Sequence, residues 1–346
     1  MTNTLTQFSH GGDTKNFAKK YNCSIDSIID LSSNINFVKP KFNININNID
    51  ISSYPNYNKL YKTISKHFKI KKKNIELFNG GSSAIFSLMR FFKQKRCYIY
   101  SPAYLEYKKA CTLYDKDITL INRYENIDTR VKKNSIVVFV NPSTPDGIYY
   151  DIYKLTQLLK YWNKQNCKVI IDESFIEFTK EKSIKKYISK YNNLFILKSM
   201  TKFYSCAGVR LGVVLSNDKN IEQLKKYEPL WKISAYDSVI IQKLLQDKKF
   251  KKQTLKVNNN AKKYLLKTIK RYDFLVVSKT SEVNFVLVKL QGITKDTFIN
   301  HLAKYNIMVR DCSNFDFLGD GYIRIAVKSI KDIKIFNQSL KELYPF

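Results

Sequence analysis

A lysine between two apolar runs is the feature of this sequence best suited to chemistry. Lys202 lies between Leu194–Leu197 and Leu211–Leu215, and both runs predict buried strands. Burial disfavours a charged amine, and a neutral amine can form a Schiff base with an aldehyde. A hydroxyl at Ser199 precedes the lysine and Arg210 follows it, and these two groups suit a phosphate.

The stretch from Ser199 to Gly212 resembles the lysine motif of fold-type I pyridoxal-phosphate enzymes. The resemblance implies that Lys202 binds the cofactor aldehyde, while Ser199 and Arg210 bind the cofactor phosphate. The closest patterns are those of histidinol-phosphate aminotransferase and threonine-phosphate decarboxylase. It further implies an α/β fold, with a mostly parallel seven-stranded sheet in a large domain and a smaller α/β domain.

A glycine turn provides a second candidate contact for the phosphate. Leu77 to Ser83 reads as a strand, a turn with two glycines and the start of a helix, where free N–H groups favour an anion. The turn lacks the lysine of a P-loop. It resembles the cofactor-phosphate loop of the same family, which implies contacts from Gly81 and Ser82. Tyr104, after the next strand, is implied to stack on the pyridine ring.

Two further residues follow buried strands. Asp172 comes directly after Val169–Ile171, at the strand end where α/β sheets place their ligands. The resemblance implies that this carboxylate pairs with the pyridine nitrogen and keeps the ring protonated. The segment 141–147 resembles Asn-Pro-Asn-Asn-Pro-Thr-Gly, but Thr144 replaces the asparagine before the second proline. A hydroxyl can still donate a hydrogen bond to the cofactor's phenolic oxygen.

Two arginines near the C-terminus could bind two anions. Arg310 and Arg324 lie on short predicted strands, and the guanidinium fork suits both carboxylate and phosphate. The resemblance implies that Arg324 binds the substrate α-carboxylate and Arg310 a substrate phosphate. His10 and Asn34 lie in two motifs that resemble the substrate-reaching arm of threonine-phosphate decarboxylase.

Tyr54 and Phe175 carry finer predictions. The Tyr-Pro pair at Tyr54 resembles the tyrosine that reaches the cofactor phosphate of the neighbouring subunit, which implies a homodimer. Phe175 occupies a position where histidinol-phosphate aminotransferase usually has tyrosine. This residue therefore favours the decarboxylase.

Composition limits the possible partners. The 346 residues are 44% hydrophobic, which predicts a globular protein, and the formal net charge is +31. The lysines are spread along the whole chain, so we attribute them to composition and expect no nucleic-acid partner. The six cysteines and three histidines show no metal-ligand spacing, so we expect no metal. The polar N-terminus and the absence of a long apolar run predict a cytoplasmic protein without a membrane partner.

The predicted domains follow the order of the motifs. Residues 1–48 form an N-terminal arm with part of the small domain, 49–230 the large cofactor-binding domain, and 231–346 the rest of the small domain.

The predicted function is decarboxylation of an O-phospho-L-amino acid, with pyridoxal 5'-phosphate as cofactor. The substrate would be L-serine phosphate, giving ethanolamine phosphate, or L-threonine phosphate, giving 1-amino-2-propanol phosphate; one methyl group separates them. An aminotransferase of the histidinol-phosphate type is the alternative. A basic nucleic-acid-binding protein on a relic fold is a third, of another class. The motifs leave open which substrate bond breaks.

Overall fold

The computed structural model describes residues 10–343, which form ten α-helices and thirteen strands. The helices are α1 (Thr14–Tyr21), α2 (Asn58–Phe68), α3 (Gly80–Phe91), α4 (Glu106–Leu113), α5 (Ile152–Lys164), α6 (Asp218–Lys225), α7 (Ala235–Gln246), α8 (Lys248–Ile269), α9 (Lys295–Ala303) and α10 (Ile330–Leu343). The strands are β1 (Ile29–Asp30), β2 (Ile75–Phe78), β3 (Arg96–Ser101), β4 (Asp117–Asn122), β5 (Ile136–Val140), β6 (Lys168–Asp172), β7 (Leu194–Ser199), β8 (Gly212–Leu215), β9 (Leu275–Val277), β10 (Phe285–Leu290), β11 (Ile307–Met308), β12 (Arg310–Asp311) and β13 (Tyr322–Ala326).

The chain forms two compact units. Among the described residues, the larger unit contains 38–144 and 149–254, and the smaller unit contains 10–37, the segment Pro145–Ile148 and 255–343. The domain boundaries predicted from the sequence, 48/49 and 230/231, differ from the boundaries of these two units and remain a prediction. Residues 231–254 belong to the larger unit because α7 packs on α2, and the Tyr57 hydroxyl donates a hydrogen bond to the Ile233 carbonyl at 2.7 Å.

The larger unit is built on a seven-stranded sheet in the order β2-β8-β7-β6-β5-β3-β4. Strand β8 runs antiparallel to both of its neighbours, and the remaining strands are parallel. Strands β5, β7 and β8 are buried along their whole length, as their continuous apolar runs predict. The predicted mostly parallel seven-stranded sheet is confirmed.

The sheet topology gathers several loops at one edge. Because β2, β3, β5, β6 and β7 are parallel, their carboxyl ends meet at the same edge of the sheet. The antiparallel β8 begins at that edge, since Gly212 pairs with both Phe78 and Ser199. Loops that are distant in sequence therefore begin or end side by side.

Helix α3 follows β2 directly and packs on this sheet. Its apolar side chains Ala84, Ile85, Leu88 and Met89 are buried in the main core of the larger unit. The turn at its start depends on Gly80, whose φ of +83° is strained for other residues. The helix therefore begins with its N-terminus at the carboxyl edge of the sheet.

The smaller unit contains an antiparallel sheet in the order β12-β13-β10-β9 and a short parallel pair of β1 with β11. Helices α8, α9 and α10 contribute Leu265, Phe298 and Phe336 to its core. Among residues 10–343, no helix is both long and apolar enough to cross a membrane. All six cysteines are free thiols.

Candidate active site

Asp172 ends β6 in a buried position where three hydrogen bonds fix its carboxylate. The Ser174 N–H and hydroxyl donate to Oδ1 at 2.9 and 2.5 Å. The Tyr107 hydroxyl, on α4, donates to Oδ2 at 2.9 Å. Burial and the charge of Asp172 both raise the pKa of Tyr107, so its hydroxyl stays protonated and remains a donor. Two separate parts of the chain therefore fix the orientation of this carboxylate.

Lys202 follows β7 and lies partly buried between two aromatic rings. Its Nζ is 5.4 Å from the centre of the Phe175 ring and 6.0 Å from that of Tyr104. Phe175 is buried and belongs to the loop that follows Asp172. Burial raises the pKa of the Tyr104 hydroxyl, which is therefore neutral near pH 7. The two rings beside the amine are therefore both uncharged.

Groups that suit a phosphate converge on the start of α3. A Cβ on Gly80 would overlap the Arg210 guanidinium, so this cation packs directly on the first turn of the helix. A Cβ on Gly81 would lie 3.5 Å from Ser199 Cβ. The Ser199 and Thr201 hydroxyls lie 3.1 Å apart. Free helix N–H groups, hydroxyls and a guanidinium are the donors that bind phosphate.

The same turn also reaches Tyr104. The Ser82 hydroxyl lies 3.3 Å from the Tyr104 hydroxyl. The predicted phosphate contacts and the predicted stacking residue therefore lie in one neighbourhood of the larger unit. Thr144 is buried after β5, at the same edge of the sheet.

The loop that carries Thr144 is closed by Asn141. The Asn141 side chain accepts a hydrogen bond from the Tyr150 N–H at 2.8 Å and donates one to the Tyr150 carbonyl at 2.9 Å. Both hydrogen-bonding ends of this amide are therefore used to fix the loop. Of the three positions where the resembling motif has asparagine, only Asn141 is retained, and it fixes the loop, while Ser143 and Thr144 occupy the other two.

A buried ion pair joins the ends of β6 and β7. Lys198 Nζ lies 2.6 Å from Glu173 Oε2, and the two side chains are 3% and 1% exposed. Glu173 also accepts hydrogen bonds from the Ser183 hydroxyl and the Ile184 N–H. Glu173 follows Asp172 and Lys198 precedes Ser199 in the chain, so the pair fixes the two strand ends that present these residues. Loss of one partner would leave a buried charge, which is strongly destabilising.

Arg310 and Arg324 are neighbours in the smaller unit. They are directly opposed in the antiparallel pair of β12 and β13, so their side chains lie on the same face of the sheet. Their side chains are 5% and 6% exposed. Burial, together with the positive charge of Arg310, lowers the pKa of Arg324 to about 10, and burial lowers the pKa of Arg310. The surroundings disfavour two positive charges, so an anion bound there would be strongly stabilised.

The chain that follows β1 packs beside Arg324. The Arg324 guanidinium donates to the Ser32 carbonyl at 2.9 Å. A Cβ on Gly11 would overlap that carbonyl, which explains a glycine here. Asn34 is buried, and its side-chain oxygen accepts no hydrogen bond from any part of the chain that the structure describes. His10 is exposed and lines a cavity with Arg310. The four predicted substrate residues therefore all belong to the smaller unit.

Tyr54 makes a different contact from the other predicted residues. Its ring stacks on Trp231 with a centre-to-centre distance of 4.1 Å, and 74% of the residue is exposed. Further large apolar side chains are exposed on the same two segments of the larger unit, at Ile46, Ile51 and Leu230. An exposed apolar surface of this kind favours a protein partner.

The family model for aminotransferase class I and II matches residues 35–340. The chain belongs to this family. It is therefore a pyridoxal-phosphate enzyme with the fold-type I architecture, as the lysine motif predicted.

Relatives of two activities resemble this pyridoxal-phosphate enzyme. A protein of Caldanaerobacter subterraneus, provisionally named threonine-phosphate decarboxylase, is 31% identical over 315 residues, which are 86% of this chain and 85% of that protein. The crystal structure of histidinol-phosphate aminotransferase from Clostridium acetobutylicum superposes with a TM-score of 0.79 at 28% identity, covering 90% and 98% of the two chains. L-threonine-O-3-phosphate decarboxylase from Porphyromonas gingivalis has a TM-score of 0.75 at 21% identity, covering 97% of each chain, which shows the shared fold.

The residues of the larger unit fit pyridoxal 5'-phosphate. The start of α3, Ser199 and Arg210 would hold its phosphate, and Lys202 its aldehyde. The aromatic ring of Tyr104 and the carboxylate of Asp172 supply a stacking surface and an acceptor for a protonated ring nitrogen. Within residues 10–343, no group of three or more histidine, cysteine or acidic side chains could hold a metal ion.

Sequence reasoning missed Tyr107 and the ion pair of Lys198 with Glu173. Tyr107 is the second residue of α4 and follows Tyr104 by three residues, and this closeness to a predicted site residue was the available signal. Lys198 and Glu173 each adjoin a predicted site residue. In a chain with 60 lysines and arginines, however, no sequence feature identifies which cation is buried.

Proposed function

We propose that this pyridoxal-phosphate enzyme decarboxylates an O-phospho-L-amino acid, phosphoserine or phosphothreonine. The observation that carries the proposal is the pair of buried arginines on one face of β12 and β13. A phospho-amino acid has two anionic groups, a carboxylate and a phosphate, and each guanidinium can bind one of them through two parallel hydrogen bonds.

The surroundings of the arginines support two separate anion contacts. The Arg310 guanidinium donates to the Asn314 side chain at 2.8 Å, and Arg324 donates to the Ser32 carbonyl. Each guanidinium is also 5.2–5.3 Å from the centre of an aromatic ring, Phe315 for Arg310 and Phe285 for Arg324. Guanidiniums oriented in this way lose little further freedom on binding an anion.

The relatives agree with a phosphorylated small substrate. Two of the names among the relatives, threonine-phosphate decarboxylase and histidinol-phosphate aminotransferase, describe enzymes of phosphate monoesters. Phe175, which packs beside Lys202, is the residue that favoured the decarboxylase in the sequence.

The proposed roles are those that the family resemblance implies, and the position of each residue is compatible with its role. Arg324 binds the α-carboxylate and Arg310 the phosphate, with His10 and Asn34 as further substrate contacts. Asp172, oriented by its three donors, would accept a hydrogen bond from the protonated cofactor nitrogen, and Tyr104 and Thr144 would contact the ring and its oxygen. The bound cofactor supplies an acceptor for the electron pair that the departing carboxylate leaves behind. The Lys202 amine then returns a proton to the substrate α-carbon.

Gas release and keto-acid dependence test the reaction type. The purified protein, loaded with pyridoxal phosphate, is supplied with O-phospho-L-serine or O-phospho-L-threonine. Decarboxylation predicts one CO₂ released for each substrate consumed, with no requirement for 2-oxoglutarate. Turnover of histidinol phosphate that requires 2-oxoglutarate, without CO₂, would instead establish the aminotransferase. Absence of the visible absorbance of a bound cofactor would contradict both.

We also propose that the enzyme is a cytoplasmic homodimer. The exposed stack of Tyr54 on Trp231 and the apolar side chains at Ile46, Ile51 and Leu230 form a surface suited to a second copy. In that dimer Tyr54 would reach the cofactor phosphate of the partner subunit.

A further inference from the structure

A cavity of about 570 Å³ adjoins Arg310 in the smaller unit. Its lining comes from helix α1 and the two residues His10 and Gly11 before it, from Ser32, from α9 and from the segment between Met308 and Asn314. The floor contains buried side chains such as Phe17, Met308 and Arg310. The cavity is several times larger than a phosphate group. The guanidinium of Arg310 would therefore contact a phosphate bound there from one side only.

Lys20 lines the same cavity from a different element. It is the penultimate residue of α1, and its Nζ lies 5.0 Å from the centre of the Tyr21 ring. The Tyr21 hydroxyl donates to Asn300 Oδ1, on α9, at 2.9 Å, and its ring packs on Phe17 at 4.8 Å. Helix α1 is therefore anchored at the cavity wall, and the flexible lysine stem starts from a fixed point.

The other charges around the cavity leave an unmet need for a cation if a phosphate binds there, and Lys20 can supply it. A phosphate monoester carries close to two negative charges near pH 7. Asp311 lines the cavity, but Lys295 neutralises it at 3.1 Å. Asp296 also lines the cavity and adds a negative charge that offsets Arg310. Without Lys20, the opposite charges of Arg310 and Asp296 would largely cancel. A dianion in the cavity would then be attracted only weakly by the charged residues of the lining.

We infer that Lys20 is a specificity-determining residue, whose ammonium binds the substrate phosphate together with Arg310. This inference rests on the proposed function, because it requires a phosphorylated substrate at Arg310. Arginine supplies the oriented fork, and lysine supplies a mobile point charge that can follow the phosphate.

The neighbouring Lys19 offers a matched control. Both lysines are exposed on the last turn of α1, and only Lys20 lines the cavity. Lys19→Ala and Lys20→Ala remove the same charge from the same helix, so they weaken long-range attraction of an anionic substrate equally. The measurement is the ratio of kcat/KM for O-phospho-L-serine to that for L-serine in the holoenzyme.

The expected result is a ratio about tenfold lower in Lys20→Ala, which is the low end for a charge-assisted contact because the side chain is exposed. Lys19→Ala should stay within about twofold of the wild type, and Lys20→Arg should retain most of the ratio. Equal ratios in Lys19→Ala and Lys20→Ala would overturn the inference while leaving the proposed function intact. A wild-type enzyme without preference for the phosphorylated substrate would remove the proposed function itself.

Discussion

Replacement of Arg310 by alanine tests whether the two buried arginines bind two anionic groups of the substrate, its carboxylate and its phosphate. Arg310 is 5% exposed, so the phosphate it binds would be largely removed from water. Truncation of one partner of such a buried charge pair costs about 2–5 kcal/mol. At about 1.4 kcal/mol for each factor of ten, kcat/KM for O-phospho-L-serine should fall about 30- to 4000-fold.

The effect on the unphosphorylated substrate should be much smaller. Arg324 would still bind the α-carboxylate, and loss of the positive charge on Arg310 removes one cause of its lowered pKa. We therefore expect kcat/KM for L-serine to change by less than about threefold. Arg324→Ala should lower kcat/KM for both substrates by similar factors, which leaves their ratio unchanged. Arg310→Lys should give an intermediate ratio, because it keeps the charge and loses the planar fork.

The assay compares the two specificity constants for each variant under one buffer and salt concentration. Thermal unfolding of each holoenzyme establishes that the variant is folded before its kinetics are interpreted. An unchanged ratio in Arg310→Ala, in a folded protein, would remove Arg310 from the phosphate site and refute the two-anion argument.

Four further predictions concern other residues. Lys202→Ala should abolish turnover and the visible absorbance of the covalently bound cofactor while the fold persists; retained absorbance would exclude Lys202 as the cofactor lysine. Asp172→Asn should keep measurable cofactor binding but slow turnover about 100-fold or more, since the ring nitrogen loses its carboxylate partner, and near-normal turnover would contradict that pairing. Tyr54→Ala should weaken cofactor retention in a dimer, and a fully active monomer in analytical ultracentrifugation would refute a shared site. His67, whose pKa burial lowers, binds protons less readily in the folded state, so stability should decrease as pH falls below the unfolded value of about 6.5. His67→Gln should reduce that decrease in urea unfolding at pH 5.5 compared with pH 7.5, and an equal decrease in both proteins would show that other groups cause it.

Much of the larger unit could be predicted from the sequence because its signals are local. Continuous apolar runs identify β5 and β7 as buried strands. Each predicted cofactor contact follows a strand or opens a helix, where the chain direction alone decides which edge of the sheet it reaches. The predicted seven-stranded sheet is therefore confirmed, and Asp172 and Ser199 end adjacent parallel strands.

Other features depend on pairings that a single sequence does not encode. The parallel pair of β1 with β11 has two residues in each strand, too few for any periodicity. The Tyr107 contact with Asp172 joins residues 65 positions apart. The register that opposes Arg310 to Arg324 follows from side-chain packing on both strands, so the sequence identified two arginines without indicating that they are neighbours.

That register has a consequence for how such enzymes change their substrates during evolution or in the laboratory. Successive residues of a strand alternate between its two faces, so a one-residue shift of β12 against β13 would turn Arg310 away from Arg324. A single insertion or deletion within β12 could thus abolish recognition of a second anion while both arginines persist in the sequence. Searches for phosphate-specific homologues should therefore score the alignment spacing between the two arginines as well as their presence.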